Sequence, residues 1–544
     1  MVIFLGAVTS LGTIQKTWFT LRKAALNKWR LAFAAFALAY TLILFSNFLR
    51  WPLVWDEVVH LNAGSFLSWG LIDKFVLNAF YPPLFDCLIF LSFETFGVCL
   101  FAARLIPVLF SVLALWLTFE LAQSMYGGKV GLLSAVVLGV MPGYFWVSQS
   151  ALLESSLVFF VVASLLFFYR WLVTRQDRML VFTGLAVGLG FLTKYQIIVA
   201  GIILAISILF LAKDQLKLAY KKFMITFVTA VLVVTPWILI VYDIYADNFL
   251  QQWLYAVQVG NPERSVYSER FFAPVFYLVD VVWPYDTVHP ISVFIYIAGL
   301  VGLTFFALRR KTQDKYVLIW FVCIYVFFTL ISNKSWRYVL PLFPALAISA
   351  SVIFVEAYGK LHSCWRQGIG TPQQRRLYKV AGGLLVVFVA GSIAYSVYDC
   401  YGIAAPHDID IPIEQATNYA YRNIDYNKSI MVLCPFDLFN REMVRFYLWQ
   451  DGDNDIPVFQ YPRHAVDSYA PDFNITELVR LCEVLNVHYL FTYEYGGTVP
   501  YFNSTLNLQQ IYQQLYASGN FTQINDEATF GESPRRIFVL EFIG

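Results

Sequence analysis

The chain has 544 residues, of which 59% are hydrophobic, 18% aromatic and only 14% charged, and its mean hydropathy is +0.61. So apolar a balance excludes a water-soluble globular protein of this length. The formal net charge of +2 gives no basic footprint for nucleic acid, so membrane lipid is the expected surrounding and no nucleic-acid partner is expected.

A helix needs about 20 mostly apolar residues to cross a bilayer. Such runs recur near 31–49, 101–123, 130–147, 154–173, 179–193, 196–212, 223–242, 291–308, 316–332, 338–356 and 380–398. They predict a mainly α, polytopic membrane protein with about eleven transmembrane helices. Lys16, Arg22, Lys23, Lys28 and Arg30 precede the first run. Arg170, Arg175 and Arg178 follow the fourth, Lys213, Lys217, Lys221 and Lys222 the sixth, Arg309, Arg310, Lys311 and Lys315 the eighth. Lys360, Arg366, Arg375, Arg376 and Lys379 follow the tenth. If eleven spans alternate, all these clusters share one side, which the positive-inside rule makes cytoplasmic. Residues 1–30 then form a cytoplasmic segment, 31–399 the membrane domain, and the C-terminus lies outside. The first run ends in Trp51-Pro52-Leu53-Val54-Trp55, not in a small-residue cleavage site, so no cleaved signal peptide is expected.

The exterior loop 50–100 opens on Asp56 and Glu57. Carboxylates at a membrane face are functional suspects, and one can take a proton from an attacking hydroxyl. The alternative is a solvated loop pair. Leu84–Phe93 is short and broken by Asp86, which suggests an interfacial or re-entrant helix.

After Asp399 the composition turns acidic, with eighteen Asp/Glu against eight Lys/Arg in 400–544. Strands are expected at Ile430–Cys434, His488–Tyr493 and Arg535–Phe542, and helices at Pro412–Asn423, Leu438–Trp449, Ile475–Leu485 and Leu508–Tyr516. Their alternation predicts a small exterior α/β domain with a partly parallel sheet. The seven cysteines form no zinc spacing, and Cys434 and Cys482 read as buried thiols. Sequons at Asn333, Asn427, Asn474, Asn503 and Asn520 all fall on the expected outer side. Asp451-Gly452-Asp453-Asn454-Asp455 opens like a calcium loop but lacks its turn glycine and closing glutamate, so a solvated acidic turn is expected.

Six motifs together resemble the protein O-mannosyltransferases and the lipid A aminoarabinose transferases. Trp55-Asp56-Glu57-Val58-Val59-His60 resembles their first-loop signature, and Tyr81-Pro82-Pro83-Leu84 the proline motif after it. Ala103-Arg104-Leu105-Ile106-Pro107 resembles the start of their second span, and Leu152-Leu153-Glu154 that of the fourth. Gly190-Phe191-Leu192-Thr193-Lys194 and Arg337-Tyr338-Val339-Leu340-Pro341 resemble G-x-L-T-K and R-Y-x-L-P. The resemblance covers about 30–356 and implies a GT-C type glycosyltransferase. Such enzymes move a sugar, with inversion, from a polyprenyl (dolichyl or undecaprenyl) monophosphate to a glycan, lipid or protein acceptor on the outer face. Phosphate is a good leaving group, so the reaction needs a base for the hydroxyl and positive charge for the phosphate.

On this reading Asp56 matches the family's proton acceptor. Glu57 orients it, binds the acceptor or pairs with Arg104, and Glu154 is a second site carboxylate rather than an ordinary helix-terminal acid. Lys194 and Arg337 would hold the phosphate, the alternative being interfacial snorkelling. Arg104 is expected to neutralise a carboxylate, and His60 to be a hydrogen-bond partner. Tyr81 and Tyr338 fall within the motifs as substrate-binding candidates. No cofactor is assigned. A divalent metal, if one is used, would fall to Asp56 and Glu154. Two departures matter: Tyr81 replaces the Lys or His usual before the loop proline, and the loop 243–290 is too short for a β-trefoil. Neither family's acceptor therefore carries over. The alternative function is a transporter or flippase of a lipid-linked sugar, which would typically show inverted repeats; the sequence shows no such symmetry.

Overall fold

The computed structural model describes residues 28–51, 53–77, 81–211, 216–248, 250, 251, 254, 271–283, 289–331, 333–404, 411–425, 427–434, 438–449, 456–462, 473–494 and 507–544. The acidic turn 451–455, the sequon residue Asn503 and the basic residues before Lys28 lie outside them.

Helix α1 (Lys28–Asn47) is followed by three short helices, α2 (Trp55–Ser68), α3 (Ile72–Leu77) and α4 (Leu84–Phe96). Next come α5 (Leu100–Tyr126), α6 (Gly128–Gly139), α7 (Pro142–Val147), α8 (Leu153–Thr174) and α9 (Arg178–Phe191). A 3-10 turn, Tyr195–Ile197, leads into α10 (Ile198–Leu211), followed by α11 (Leu216–Tyr245), α12 (Ala273–Asp280), α13 (Val293–Arg309) and α14 (Thr312–Leu330). A second 3-10 turn, Trp336–Leu342, runs into α15 (Phe343–Arg366), and α16 (Pro372–Ala404) closes the bundle.

The chain is a multi-pass membrane protein. Among the described residues, seven helical segments are long and apolar enough to cross a bilayer: Lys28–Asn47, Leu100–Tyr126, Leu153–Thr174, Leu216–Asn248, Thr312–Leu330, Trp336–Arg366 and Pro372–Gly402. Four shorter apolar helices, Gly128–Gly139, Arg178–Phe191, Tyr195–Leu211 and Val293–Arg309, stand where the other four runs were expected. The sequence run 130–147 divides into α6 and α7 because Met141 is extended and Pro142 starts a new helix.

Lipid supplies no hydrophobic drive between helices, so close packing joins them. On α13 a Cβ at Gly302 would collide with the Ser349 carbonyl of α15. Ser349 Oγ donates to Gly299 O at 2.8 Å across the same seam. Polar groups gather at the two ends of the bundle. At one end Glu120 receives Arg30 and Arg170, and Arg309 pairs with Asp314 and Glu356. The motif residues assemble at the other.

The C-terminal unit contains α17 (Ile413–Asn423), β1 (Ser429–Leu433), α18 (Arg441–Trp449), β2 (Val458–Tyr461), α19 (Ile475–Val484), β3 (Val487–Tyr493), α20 (Leu508–Ala517), β4 (Thr529–Phe530) and β5 (Ile537–Glu541). The sheet order is β2-β1-β3-β5-β4, with β1 parallel to β2 and β3 and β5 antiparallel to β3 and β4. Ile430 and Val432 share one apolar cluster with α17 and α18, and Met431 and Leu433 share another with α19 and α20. Helices thus cover both faces, the arrangement that buries a parallel sheet. Strands β2 and β4 were not expected; they span four and two residues, too short for a period to show. Cys434 and Cys482 are free and buried. The sequon residue Asn474 caps α19, its side chain accepting from Glu477 N.

The α18 side of this unit rests on α2. Asn62 Nδ2 donates to Glu442 O at 3.1 Å and to Glu442 Oε2 at 3.3 Å, and Arg441 and Arg445 both bond Glu442.

Candidate active site

Helix α2 begins after an extended Val54 and carries Asp56 and Glu57 in its first turn, where the helix dipole favours acids. Neighbouring helix positions diverge by about 100°, so the two carboxylates have different surroundings. Glu57 turns inward and is fully enclosed. Arg104 Nε donates to Glu57 Oε1 at 2.6 Å and Arg104 Nη2 to Oε2 at 2.7 Å. Ala151 N donates to the same Oε1 at 2.8 Å, while Arg104 Nη1 bonds the carbonyls of Phe48 and Trp51. Of the parts expected for Glu57, the pairing with Arg104 is the one seen, and none of its side chain is exposed. The pair locks the end of α1, the start of α2, α5 and the segment before α8. Arg104 is likewise sealed and neutralises Glu57.

Asp56 turns the other way, with 52% of its side chain accessible, and meets Arg337 Nη2 at 2.7 Å. Arg337 comes from the 3-10 turn Trp336–Leu342, whose start is capped by Ser335 and whose end is held by Trp320 Nε1 donating to Pro341 O at 3.0 Å. Glu154 opens α8 and pairs with Lys194 Nζ at 3.0 Å. The segment before α8 is tied to α1 by Asn47–Gln149 at 2.7 Å and Tyr40–Ser148 at 3.0 Å, which places Glu154. Lys194 follows α9 and lies 5.5 Å from the Tyr338 ring centre. Leu84 N donates to Leu192 O at 2.7 Å, joining the proline motif to the Thr193-Lys194 segment.

Burial alone would raise the pKa of Asp56. The Arg337 charge and hydrogen bond, with His60 and Lys194 behind them, outweigh it and hold the carboxyl below its ordinary value. Asp56 is thus solvent-accessible yet crowded by protein, as a group lining a recess would be. Tyr81 stands in the same field: burial, then Asp56, Tyr338 and Glu154, push its phenol up. His60 packs edge-on to Tyr81 at 4.9 Å, and its Nδ1 lies 2.8 Å from Asp86 Oδ1. Burial raises the Asp86 carboxyl, with His60 offsetting part of the effect. Asp86 was read from sequence only as a break in an apolar run. A lone acid in such a run, near a motif histidine, was the available signal.

Among the described residues no group of three or more His, Cys, Asp or Glu side chains converges. Asp56 and Glu154 each face a cation.

Residues 81–240 match the family model described as dolichyl-phosphate-mannose-protein mannosyltransferase. An undecaprenyl phosphate-alpha-4-amino-4-deoxy-L-arabinose arabinosyl transferase of Pectobacterium atrosepticum is 25% identical over 322 residues, covering 56% of this chain and 53% of that protein. An uncharacterized protein of Aquifex aeolicus is 25% identical over 296 residues, covering 53% of this chain and 55% of that one. The chain thus spans about half the length of the curated relatives it matches. ArnT from Cupriavidus metallidurans, solved with undecaprenyl phosphate, superposes with a TM-score of 0.61 at 16% identity, covering 95% of this chain and 98% of that one. The archaeal oligosaccharyltransferase AglB from Archaeoglobus fulgidus, in complex with an inhibitory peptide and a dolichol-phosphate, gives 0.56 at 14% identity, over 86% and 69%. The chain is a multi-pass membrane protein with the fold of ArnT and AglB.

Proposed function

We propose that the chain is an inverting glycosyltransferase that moves a sugar from a polyprenyl monophosphate to an acceptor hydroxyl on the outer face of the membrane. The observation that carries this is the gathering of two carboxylate–cation pairs, Asp56–Arg337 and Glu154–Lys194, at one end of the bundle. The acceptor oxygen attacks the anomeric carbon opposite the phosphate. The C–O bond to phosphate breaks, its electron pair stays on the phosphate oxygen, and the hydroxyl proton passes to Asp56. Arg337 and Lys194 neutralise the departing phosphate. Glu154 holds Lys194, and Tyr338 and Tyr81 wall the recess. Membranes containing the chain, given radiolabelled polyprenyl-phosphate mannose, glucose or aminoarabinose, should transfer one of them. No transfer from any donor would sink the reading.

Arg337 has two claims on it. In the free protein it pairs with Asp56; an arriving phosphate competes for it. Donor binding would then release Asp56 from the charge that depresses its pKa and make it a stronger base. Activity needs the ionised carboxylate, so it is present above the Asp56 pKa and lost as pH falls through it. The acid limb of kcat, which reports the donor complex, should lie at higher pH than that of kcat/KM, which reports the free enzyme. Replacing Arg337 by Gln should raise the kcat/KM limb and weaken the donor. Coincident limbs in the wild type would rule out the exchange.

The topology belongs to the same proposal. We infer eleven crossings, residues 1–30 in the cytoplasm, a membrane domain over 31–399 and an exterior domain over 400–544. The basic residues at the Glu120 end of the bundle support this by the positive-inside rule. An epitope placed after the exposed Gly544 should bind antibody on intact cells; binding only after permeabilisation would invert the topology. Cys434 is a poor reporter, since it is buried and burial pushes its thiol up.

A further inference from the structure

Asp86 has no part in the reaction just described, yet a carboxylate sealed in apolar surroundings costs stability unless something uses it. It stands in the first turn of α4, and its partner is His60 Nδ1 at 2.8 Å, both side chains being buried. The ring is further held edge-on between Tyr81 at 4.9 Å and Phe85 at 5.4 Å. With the Asp86 carboxylate ionised and the ring neutral, the contact on Nδ1 selects the Nδ1–H tautomer and leaves a lone pair on Nε2. That Nε2 has no partner among the described residues and is not among the sealed polar atoms.

His60 lies four residues after Asp56 on α2, so both side chains leave the same helical face one turn apart, and His60 acts electrostatically on Asp56. The recess therefore offers two hydrogen-bond acceptors side by side, Asp56 and His60 Nε2. Its two cations come from other elements, Lys194 beyond α9 and Arg337 before α15. A serine or threonine side chain brings one O–H and would leave Nε2 unmatched. A sugar brings neighbouring hydroxyls, and the Tyr81 ring supplies the aromatic wall that sugars pack against.

We propose that Asp86 positions His60 to bind a second hydroxyl of the acceptor, so that the acceptor is a sugar with vicinal hydroxyls: one O–H gives its proton to Asp56 and its neighbour donates to Nε2. This rests on the transferase reading above.

The test uses the full chain in lipid nanodiscs with a transferable polyprenyl-phosphate sugar and an equimolar mixture of octyl glucoside and octanol. A threonine-containing peptide is offered separately. The ratio of the two glycoside products is independent of how much of the protein is active. The wild type should favour octyl glucoside over octanol and over the peptide. His60→Phe should lower that ratio about tenfold, roughly the contribution of one hydrogen bond. His60→Gln should restore part of it, and Asp86→Asn should lower it without changing the choice of donor sugar. An unchanged ratio in His60→Phe, a shift in donor choice instead, or a wild type that prefers the peptide would overturn the proposal. Carbethoxylation of His60 by diethyl pyrocarbonate, read by peptide mass spectrometry, tests the placement without turnover. His60 should react, and octyl glucoside should slow the reaction. A His60 that does not react, or that octyl glucoside does not protect, overturns the proposal. Protection without transfer from any donor overturns the transferase reading instead.

Discussion

Replacing Asp56 by Asn is expected to lower kcat by about a hundredfold or more, the usual scale for loss of a general base, while the donor still binds. The amide keeps the shape of the carboxylate and can still accept a hydrogen bond from Arg337, so the recess should stay assembled. It cannot take a proton from the acceptor hydroxyl. The structure narrows the choice of base by exposure. Glu57 is sealed behind Arg104, and Glu154 has 6% of its side chain accessible and is held by Lys194. Asp56, at 52%, is the most exposed of the three. Purified Asp56→Asn protein would be compared with wild type at saturating donor, with donor affinity measured separately by displacement with polyprenyl phosphate. Transfer at the wild-type rate would remove Asp56 as the base.

The membrane part of the fold was legible because each helix leaves a long apolar run. One expected run divides where a proline restarts a helix, between α6 and α7. In the C-terminal unit the helices were readable from their period, and the buried strands β1, β3 and β5 from their apolar runs. The short edge strands β2 and β4 depend on partners far away in the chain, and no local pattern marks them. The motif residues were nameable one by one, but their pairing was not. Asp56 meets Arg337 across 281 positions and Glu154 meets Lys194 across 40, and sequence spacing carries no information about such contacts. Nothing in the sequence showed which of the adjacent Asp56 and Glu57 faces the core. Helix geometry separates them, sending one to the recess and the other to the core. The part of Asp86 was hidden for the same reason, since its partner lies on another helix.

Breaking the Glu57–Arg104 pair should be the costliest single change for stability. Neither side chain has any accessible surface, so Glu57→Gln or Arg104→Met leaves the remaining group in a dry site without its counter-charge. Loss of one partner of a buried pair costs about 3–5 kcal/mol. The exposed Asp56–Arg337 pair carries no comparable stability, because water screens it. An apolar double replacement, Glu57→Met with Arg104→Leu, removes both charges and should recover part of the loss. Recovery should be incomplete, because Ala151 N and the carbonyls of Phe48 and Trp51 lose their partners as well. Those backbone groups set the start of α2 and the approach to α8, so the double variant should melt closer to wild type yet transfer sugar poorly. Thermal melting of detergent-solubilised protein, followed by size-exclusion fluorescence, measures the first effect, and transfer at a temperature where all variants are folded measures the second. Single variants that melt with the wild type would show that the pair does not lock these segments. A double variant with full activity would show that Asp56 and Glu154 are placed without it.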